Sequence, residues 1–525
     1  MNTRRILNTV VYFVIVAVAG LAAQSPSWVS PLPAVAAETS VAGAPTNPDP
    51  WPRKFSFLGS AGNVTLLVYQ PQVEKWEGNQ LSFRAAVGAQ TTGEDGETFG
   101  VIWGTARTEV NKAVRMVTLE DLSLSRSNFP TLSDNGASYR NQLQLLFSGT
   151  ARTIALDRLQ ASLAASGSVN PAGVVVKNDP PQIIVSYSPA ILVPISGRPV
   201  WRDVPDSRFE RVINTRALIL RKKWESTCYL HVYDGWLSAV SVEEPWSQAT
   251  NLPWRIEDVA NKLVEKKLVD PLNGGNAQPP PSLANGVPTI YVSQKPAELI
   301  VFKGQPNLEP ISQTALLWAS NTTADVIVDT TTNFYYVLIS GRWCRASSLN
   351  GPWRYVASNN LPPDFSGIPP ASPAGVVLAS VAGTPQAREA VIANTIPQTA
   401  TIPRTGGPTF SPVFDGAPQF RPIPGTPLQY VVNSPTPIIR VDAYTYDALR
   451  AGVWFTATSL NGPWVVATSV PAVIYTIPPS SPLYYVTFVH VYGYTAEVVY
   501  VGYTPGYLGT VVEPDGTVVY GTGYV

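Results

Sequence analysis

At 525 residues the chain is long enough for three or four domains with cores of their own. Only 14% of its residues are charged and 36 basic residues balance 36 acidic ones, so the broad cationic face that phosphate contacts require is missing and nucleic acid is not an expected partner. Fifty Pro and 38 Gly favour short strands and turns over long helices, and two Cys are too few for a disulfide-stapled scaffold or a four-Cys zinc site.

The chain opens with Arg4 and Arg5, an apolar run over 10–23 and a small-residue site at Ala34-Val35-Ala36-Ala37. That layout predicts a secretory signal peptide over 1–37, with cleavage after Ala36 or Ala37, because the run is shorter than the roughly 20 residues a membrane-spanning helix needs. An exported protein, periplasmic or extracellular, with no membrane span in the mature chain is the expectation. Residues 38–50, rich in Ala, Thr, Pro and Asn, read as a flexible leader.

From Trp51 onward, apolar runs over 64–69, 81–87, 99–110 and 116–124 predict strands, and the spacing of Leu156, Leu159 and Leu163 predicts a helix over 153–165 after a shorter one over 139–147. Residues 51–170 are therefore expected to form an α+β domain. Pro171, Gly173 and Pro180-Pro181 mark its end.

A repeat organises the rest. Trp343-Cys-Arg-Ala-Ser-Ser-Leu-Asn-Gly-Pro-Trp353 returns as Trp454-Phe-Thr-Ala-Thr-Ser-Leu-Asn-Gly-Pro-Trp464, and a fainter copy runs from Trp236 to Trp246. The likeness reaches upstream, where Ile184-Val-Ser-Tyr-Ser-Pro-Ala-Ile-Leu-Val is related to Ile290-Tyr-Val-Ser-Gln-Lys-Pro-Ala-Glu-Leu-Ile-Val301. Gly197-Arg198-Pro199, Gly304-Gln305-Pro306 and Gly425-Thr426-Pro427 are expected at comparable turns. Three antiparallel β units follow from this, over 182–272, 289–400 and 408–472, with a linker at 273–288 and a Tyr- and Val-rich β segment over 473–525. A β-propeller-like arrangement of the units is the alternative. An amphipathic surface helix is predicted over 256–268, a short one over 385–394, and a hairpin around Pro514-Asp515-Gly516. The chain stops at Tyr524-Val525 within the pattern, as a truncated sequence would.

Catalytic motifs are absent: there is no Gly-x-Ser-x-Gly elbow, His-Glu-x-x-His, Walker loop or Cys-x-x-Cys. His231 and His490 sit in apolar strand contexts and read as packed residues. Glu243-Glu244 and the pair Asp203, Asp206 read as exposed turns. No enzyme, cofactor or metal is expected. The aromatic residues carry the functional signal, because sugar rings stack their apolar C–H faces on exposed indoles. Trp201, Trp236, Trp343 and Trp454 are the candidate ligand-binding platforms, whereas Trp246, Trp353 and Trp464, each beside a Pro or Glu-Pro turn, are assigned to the core.

Val68-Tyr69-Gln70-Pro71-Gln72, Thr105-Ala106-Arg107-Thr108-Glu109-Val110, Arg211-Val212-Ile213-Asn214-Thr215 and the Trp repeats resemble a group of exported bacterial proteins labelled carbohydrate-binding family V/XII. The resemblance covers the chain from about residue 50 and implies a polysaccharide or cell-wall glycan as ligand. An exported, mainly β, non-enzymatic glycan-binding protein is the first expectation. A structural or protein-interaction component of the bacterial envelope, in contact with other envelope proteins, is the second. A propeller-type glycoside hydrolase is the third.

Overall fold

The computed structural model describes residues 51–59, 62–92, 96–167, 173–275, 277–414 and 416–523, and the expected signal peptide and leader lie outside them. The protein is mainly β, and its described residues fall into two compact units. One runs from Asn178 to Val381. The other joins the segment ending at Lys177 to the described residues from Ala382 onward.

In the second unit, strands Arg53–Gly59, Gly62–Val68, Gln80–Thr91, Glu97–Asn111, Met116–Asn128 and Arg152–Ala155 form an antiparallel sheet in that spatial order, and Gln72–Glu77 pairs beside Gln80–Thr91. Helices α1 (Ala137–Phe147) and α2 (Leu156–Ser166) cover its inner face, burying Leu143, Leu156, Leu159 and Leu163 against Leu66, Leu81 and Val117. Residues 153–155, expected to begin α2, instead extend the sheet, because Thr153 and Ile154 are β-branched and pair with Thr118 and Val117. The layer is not closed by N-terminal residues alone. Ile392 and Ile396, in and just after a late helix, enter the same core, and strand Gln398–Pro403 lies along Glu97–Asn111, where Thr399 Oγ1 accepts from the Val110 backbone N–H at 2.6 Å.

Each Trp repeat is a six-stranded antiparallel meander. The first comprises Trp201–Asp203, Phe209–Val212, Ile219–Lys222, Cys228–Val232, Gly235–Ala239 and Ser247–Gln248; the second spans Leu308–Pro310 to Arg354–Val356, and the third Phe420–Pro422 to Val465–Val466. We call these modules. Modules one and two belong to the first unit and module three to the second. Six strands per module, against the four of a propeller blade, depart from the propeller alternative.

Alternation along these strands makes both faces of each sheet apolar, so both must be covered. In module one, one face packs Phe209, Leu218, Leu220 and Trp236 under helix α3 (Ile256–Glu265), which presents Ile256, Val259 and Leu263. The other face packs Val212, Ile219, Leu230 and Leu237 under Ile191, Val193, Ile290 and Val292. Those four come from two parallel strands, Ala190–Pro194 and Thr289–Ser293, of which the second precedes module two. The exchange is mutual: Ile183 and Val185 of strand Gln182–Ser186 pair with Ala297–Val301 and cover module two.

Two sequence expectations are corrected here. The segment expected as a linker is docked: Asp234 accepts from Ser282 Oγ at 2.6 Å and from the Leu283 N–H at 2.9 Å, and Leu283 is buried over Gly235. The turn equivalent to Gly197 and Gly304, moreover, is at Gly416, not Gly425. Asn214, Asn321 and Asn433 tie down these three turns, accepting from the backbone N–H of Val200, Asn307 and Gln419 and donating to the carbonyls of Arg198, Gln305 and Ala417. Gly425-Thr426-Pro427 falls one hairpin later, where Ser207, Thr314 and Thr426 each donate their hydroxyl to the carbonyl three residues back.

Candidate ligand-binding face of the first module

Within the Trp pairs the expected platform role of the first member is corrected, while the second member packs against the core as expected, half-buried. Trp236, Trp343 and Trp454 are 3%, 1% and 1% exposed, and each indole N–H is satisfied inside, by Glu257 Oε1 at 2.7 Å, the Ser380 carbonyl at 2.8 Å and the Val489 carbonyl at 3.0 Å. An indole with no free face cannot receive a sugar ring, so these three are withdrawn as platforms. The reason is the cap. Helix α3 over module one and the short turns Pro373–Ser380 and Tyr484–Phe488 over the others close the face on which the first Trp stands. The second Trp of each pair stands on the opposite face and is only half-buried. Trp246 and Trp353 leave their indole nitrogens without a partner among the described residues, and Trp464 meets Phe410 edge-on at 5.0 Å.

Trp201 is half-buried and packs against the core of module one. Arg221 lays its guanidinium 4.1 Å from the centre of the Trp201 ring. Arg221 in turn borders a shallow, solvent-open groove with Asp203, Glu210, Lys223, Trp224, Glu225 and Ser226. The pairing register builds it: Asp203 faces Glu210, and Glu210 faces Arg221, so three charged side chains project in one row where the apolar face runs out at the sheet's edge.

The indole that matters most here was not among those expected. Trp224 is 95% exposed at the tip of the hairpin between Ile219–Lys222 and Cys228–Val232. The turn is closed by the Glu225 N–H to the Lys222 carbonyl at 3.0 Å, with Trp224 in the left-handed region at φ 64°. For a bulky residue that conformation costs on the order of 1–3 kcal/mol, and the exposed ring gains no burial energy to offset it. Its sequence signal is a large apolar residue inside a turn-forming stretch, Lys222-Lys223-Trp224-Glu225-Ser226. A second exposed indole, Trp254 at 84%, precedes α3 and does not line the groove.

The groove's charges cancel. Glu210 Oε2 lies 2.8 Å from Arg221 Nε, Asp203 Oδ2 is 2.8 Å from Lys223 Nζ, and Glu225 Oε1 is 2.5 Å from Lys222 Nζ. The result is a neutral concavity rich in planar donors and acceptors beside an aromatic wall.

The remaining sequence candidates are structural. His231 contacts the Pro271 carbonyl through Nδ1 at 2.6 Å and meets Trp236 edge-on, while His490 stacks between Tyr475 and Tyr492. Glu243 is held by Gln294 Nε2 at 2.7 Å. Among the described residues no three His, Cys, Asp or Glu side chains converge as a metal site would require, and no helix is long and apolar enough to cross a membrane. No family model, no curated protein and no solved structure matches the chain.

Proposed function

We propose that the protein is an exported, non-enzymatic glycan-binding protein whose first module holds a neutral carbohydrate chain in the groove beside Trp224. The observation that carries this reading is the exposed, left-handed Trp224 at the rim of a charge-compensated groove. A sugar ring has an apolar C–H face that suits an indole and an equatorial fringe of hydroxyls that suits planar side chains such as Arg221, Glu210 and Asp203. A free cationic patch would favour phosphate, and a free anionic one a basic peptide. Here each carboxylate is already matched by a cation, which favours an uncharged polyol.

Binding without cleavage is the better reading of the carboxylates. Glycoside hydrolysis needs one carboxyl kept protonated in an apolar setting and a second across the scissile bond. Asp203 and Glu210 are adjacent across two strands, and each faces a cation. Arg4, Arg5 and the apolar run at 10–23 support export to a compartment where glycans are accessible.

The test is calorimetric titration of the chain with cellohexaose, chitohexaose and peptidoglycan glycan strands. Binding of at least one, weakened about tenfold or more by Trp224→Ala with the melting curve unchanged, is the expected result, in line with about 1.4 kcal/mol for a stacked ring. Absence of binding to all three, or binding indifferent to Trp224→Ala, overturns it.

A further inference from the structure

Part of the arrangement around Trp201 recurs, with Pro422 in the place of Asp203. In module one, Trp201 faces Val212 across the first strand pair and Glu210 faces Arg221 across the second. In module three, Phe420 faces Val431 and Gln429 faces Arg440 at the same steps of the ladder. Arg440 again lies over the aromatic ring, its guanidinium carbon 5.9 Å from the centre of Phe420. The hairpin tip that carries Trp224 in module one carries Tyr444 in module three, and that ring is 77% exposed. The turn holding it is built differently but firmly: Asp442 accepts from the Tyr444 N–H at 2.8 Å and from Thr445 Oγ1 at 3.0 Å, and Arg440 Nε donates to the Asp442 carbonyl at 3.1 Å.

Module two lacks every element of this set. Leu308 stands where Trp201 and Phe420 do, Val328 replaces the arginine, Leu317 replaces Glu210 and Gln429, and the tip reads Thr330-Thr331-Thr332. Thr331 and Thr332 turn their hydroxyls inward to Asp329 at 2.6 and 2.7 Å. A purely architectural requirement of the meander would have kept the aromatic–arginine pair in all three modules, since the strand register is the same in all three. Module two folds without it. The pair in modules one and three is therefore not demanded by the sheet.

We infer that module three carries a second carbohydrate-binding face, formed by Tyr444, Phe420, Arg440 and Gln429, and that module two carries none. This rests on the glycan reading of module one. The chemistry is the same, an exposed ring for the C–H face of a sugar and planar donors and acceptors for its hydroxyls, with the amide of Gln429 in place of the carboxylate of Glu210. Two faces on one chain make retention on a polymer far stronger than either face alone wherever both can reach it.

The test is binding stoichiometry for cellohexaose and chitohexaose, measured by calorimetry on the full chain and on Trp224→Ala, Tyr444→Ala and the double variant. Both rings are exposed, so the folds are expected to be unchanged by melting curve. Two hexasaccharides per intact chain, one for each single variant and none for the double variant is the expected result. One per intact chain, abolished by Trp224→Ala and untouched by Tyr444→Ala, overturns the second face and leaves the first standing. No binding by the intact chain overturns both. Retention on insoluble cellulose or chitin should fall at least tenfold in each single variant, and an unchanged retention of Tyr444→Ala also counts against the second face.

Discussion

Asn321 repeats the contacts of Asn214 bond for bond. Asn214 accepts from the Val200 N–H at 2.8 Å and donates to the Ser196 and Arg198 carbonyls at 2.8 Å each; Asn321 accepts from the Asn307 N–H at 2.8 Å and donates to the Lys303 and Gln305 carbonyls at 3.1 and 2.7 Å. One amide thus reinforces the backbone pairing at the entry to each meander, where the Ser196 and Lys303 N–H groups donate to the Asn214 and Asn321 carbonyls at 2.9 Å, around Gly197 and Gly304, whose φ values of 74° and 83° lie in the left-handed region that favours glycine. Asn321→Ala is expected to lower stability by about 1–3 kcal/mol, the scale of three partly exposed hydrogen bonds. Asn321→Asp, which keeps the acceptor and loses both donors, should fall between. Urea denaturation monitored by tryptophan fluorescence measures both, and an effect of Asn321→Ala below a few tenths of a kcal/mol would count against the pin.

Within each Trp pair the first member should dominate stability. Trp343 is 1% exposed, packs edge-on to Phe365 at 5.0 Å and donates to the Ser380 carbonyl, so Trp343→Ala removes a full aromatic burial and one of the two hydrogen bonds to that carbonyl, which keeps the Ser358 hydroxyl at 2.7 Å. A loss of about 3–5 kcal/mol is expected. Trp353, half-buried and with its indole nitrogen unsatisfied, should cost less when replaced. Melting curves of Trp343→Ala and Trp353→Ala side by side decide the order, and equal losses would contradict the burial difference.

The repeat was legible in the sequence because two Trp at constant spacing cannot be hidden by composition, and with it came the β modules and most of their strands. Which Trp faces inward was not legible. Both stand on apolar alternating strands, and the choice is made by what covers each face: for Trp343 the cap includes Ser380, 37 positions downstream, which no local pattern links to it. The strand exchange between modules one and two was hidden for the same reason, since Ile183 and Ile290 read as ordinary apolar strand residues whichever sheet they cover. The Gly416 turn was missed because the neighbouring Gly-x-Pro at Gly425 imitates it. Trp224 lies outside the paired-Trp motif, and its signal is local: a Trp between Lys223 and Glu225 in a turn.

Asp447 should make module three weaker at neutral pH than in mild acid. It is 1% exposed, its Oδ2 has no partner among the described residues, and burial pushes its carboxyl up from an ordinary value near 3.8 to about 6, against the opposing hydrogen bond from Thr456. Because the folded-state value lies above the unfolded one, the folded chain holds the proton more tightly. Stability from this group is therefore fully present below about pH 4, falls as pH rises to about 6, and stays reduced above, by roughly 3 kcal/mol at about 1.4 kcal/mol per pH unit. Asp447→Asn should remove that slope. Denaturation midpoints of both proteins from pH 4 to 8 give the difference directly, and parallel curves would refute it.

Cys228 and Cys344 are both free and buried, and burial pushes each thiol up to about 11, so little reactive thiolate exists at pH 8. In the folded protein, iodoacetamide should label neither at a rate above that of local opening. In denaturant without reductant it should label two thiols per chain, counted by intact mass. Fast labelling of the native protein, or fewer than two thiols after unfolding, would contradict the buried, unpaired state.

The exchange between modules one and two predicts how module one behaves alone. Strand Gln182–Ser186 runs parallel to Ala297–Val301, and Thr289–Ser293 runs parallel to Ala190–Pro194, with Gln182 opposite Ala297 and Thr289 opposite Ala190. The flanking bonds match in pairs: Gln182 N–H to Pro296 carbonyl at 2.9 Å and Thr289 N–H to Pro189 carbonyl at 3.0 Å, then Phe302 N–H to Ser186 carbonyl and Ile195 N–H to Ser293 carbonyl, both 2.8 Å. Each bond becomes its partner when the two modules trade places, so the junction is a local two-fold between unequal sequences. A fragment holding only module one with its leading strands, residues 178–288, leaves Gln182–Ser186 unpaired and uncovers the apolar face that Ile290 and Val292 close. A second copy of the same fragment can supply both needs, pairing its Ala190–Pro194 with the first copy's Gln182–Ser186 and receiving the reverse, as an isologous contact requires. The fragment is therefore expected to be a dimer in solution, whereas the full chain, with its junction satisfied internally, has no such demand. Sedimentation of the fragment at increasing concentration tests this, together with Ile184→Asp, which places a charge on the exchanged strand and should dissociate the dimer or prevent its folding. A stable, folded monomeric fragment would show that module one closes its own face and that the exchange contributes little.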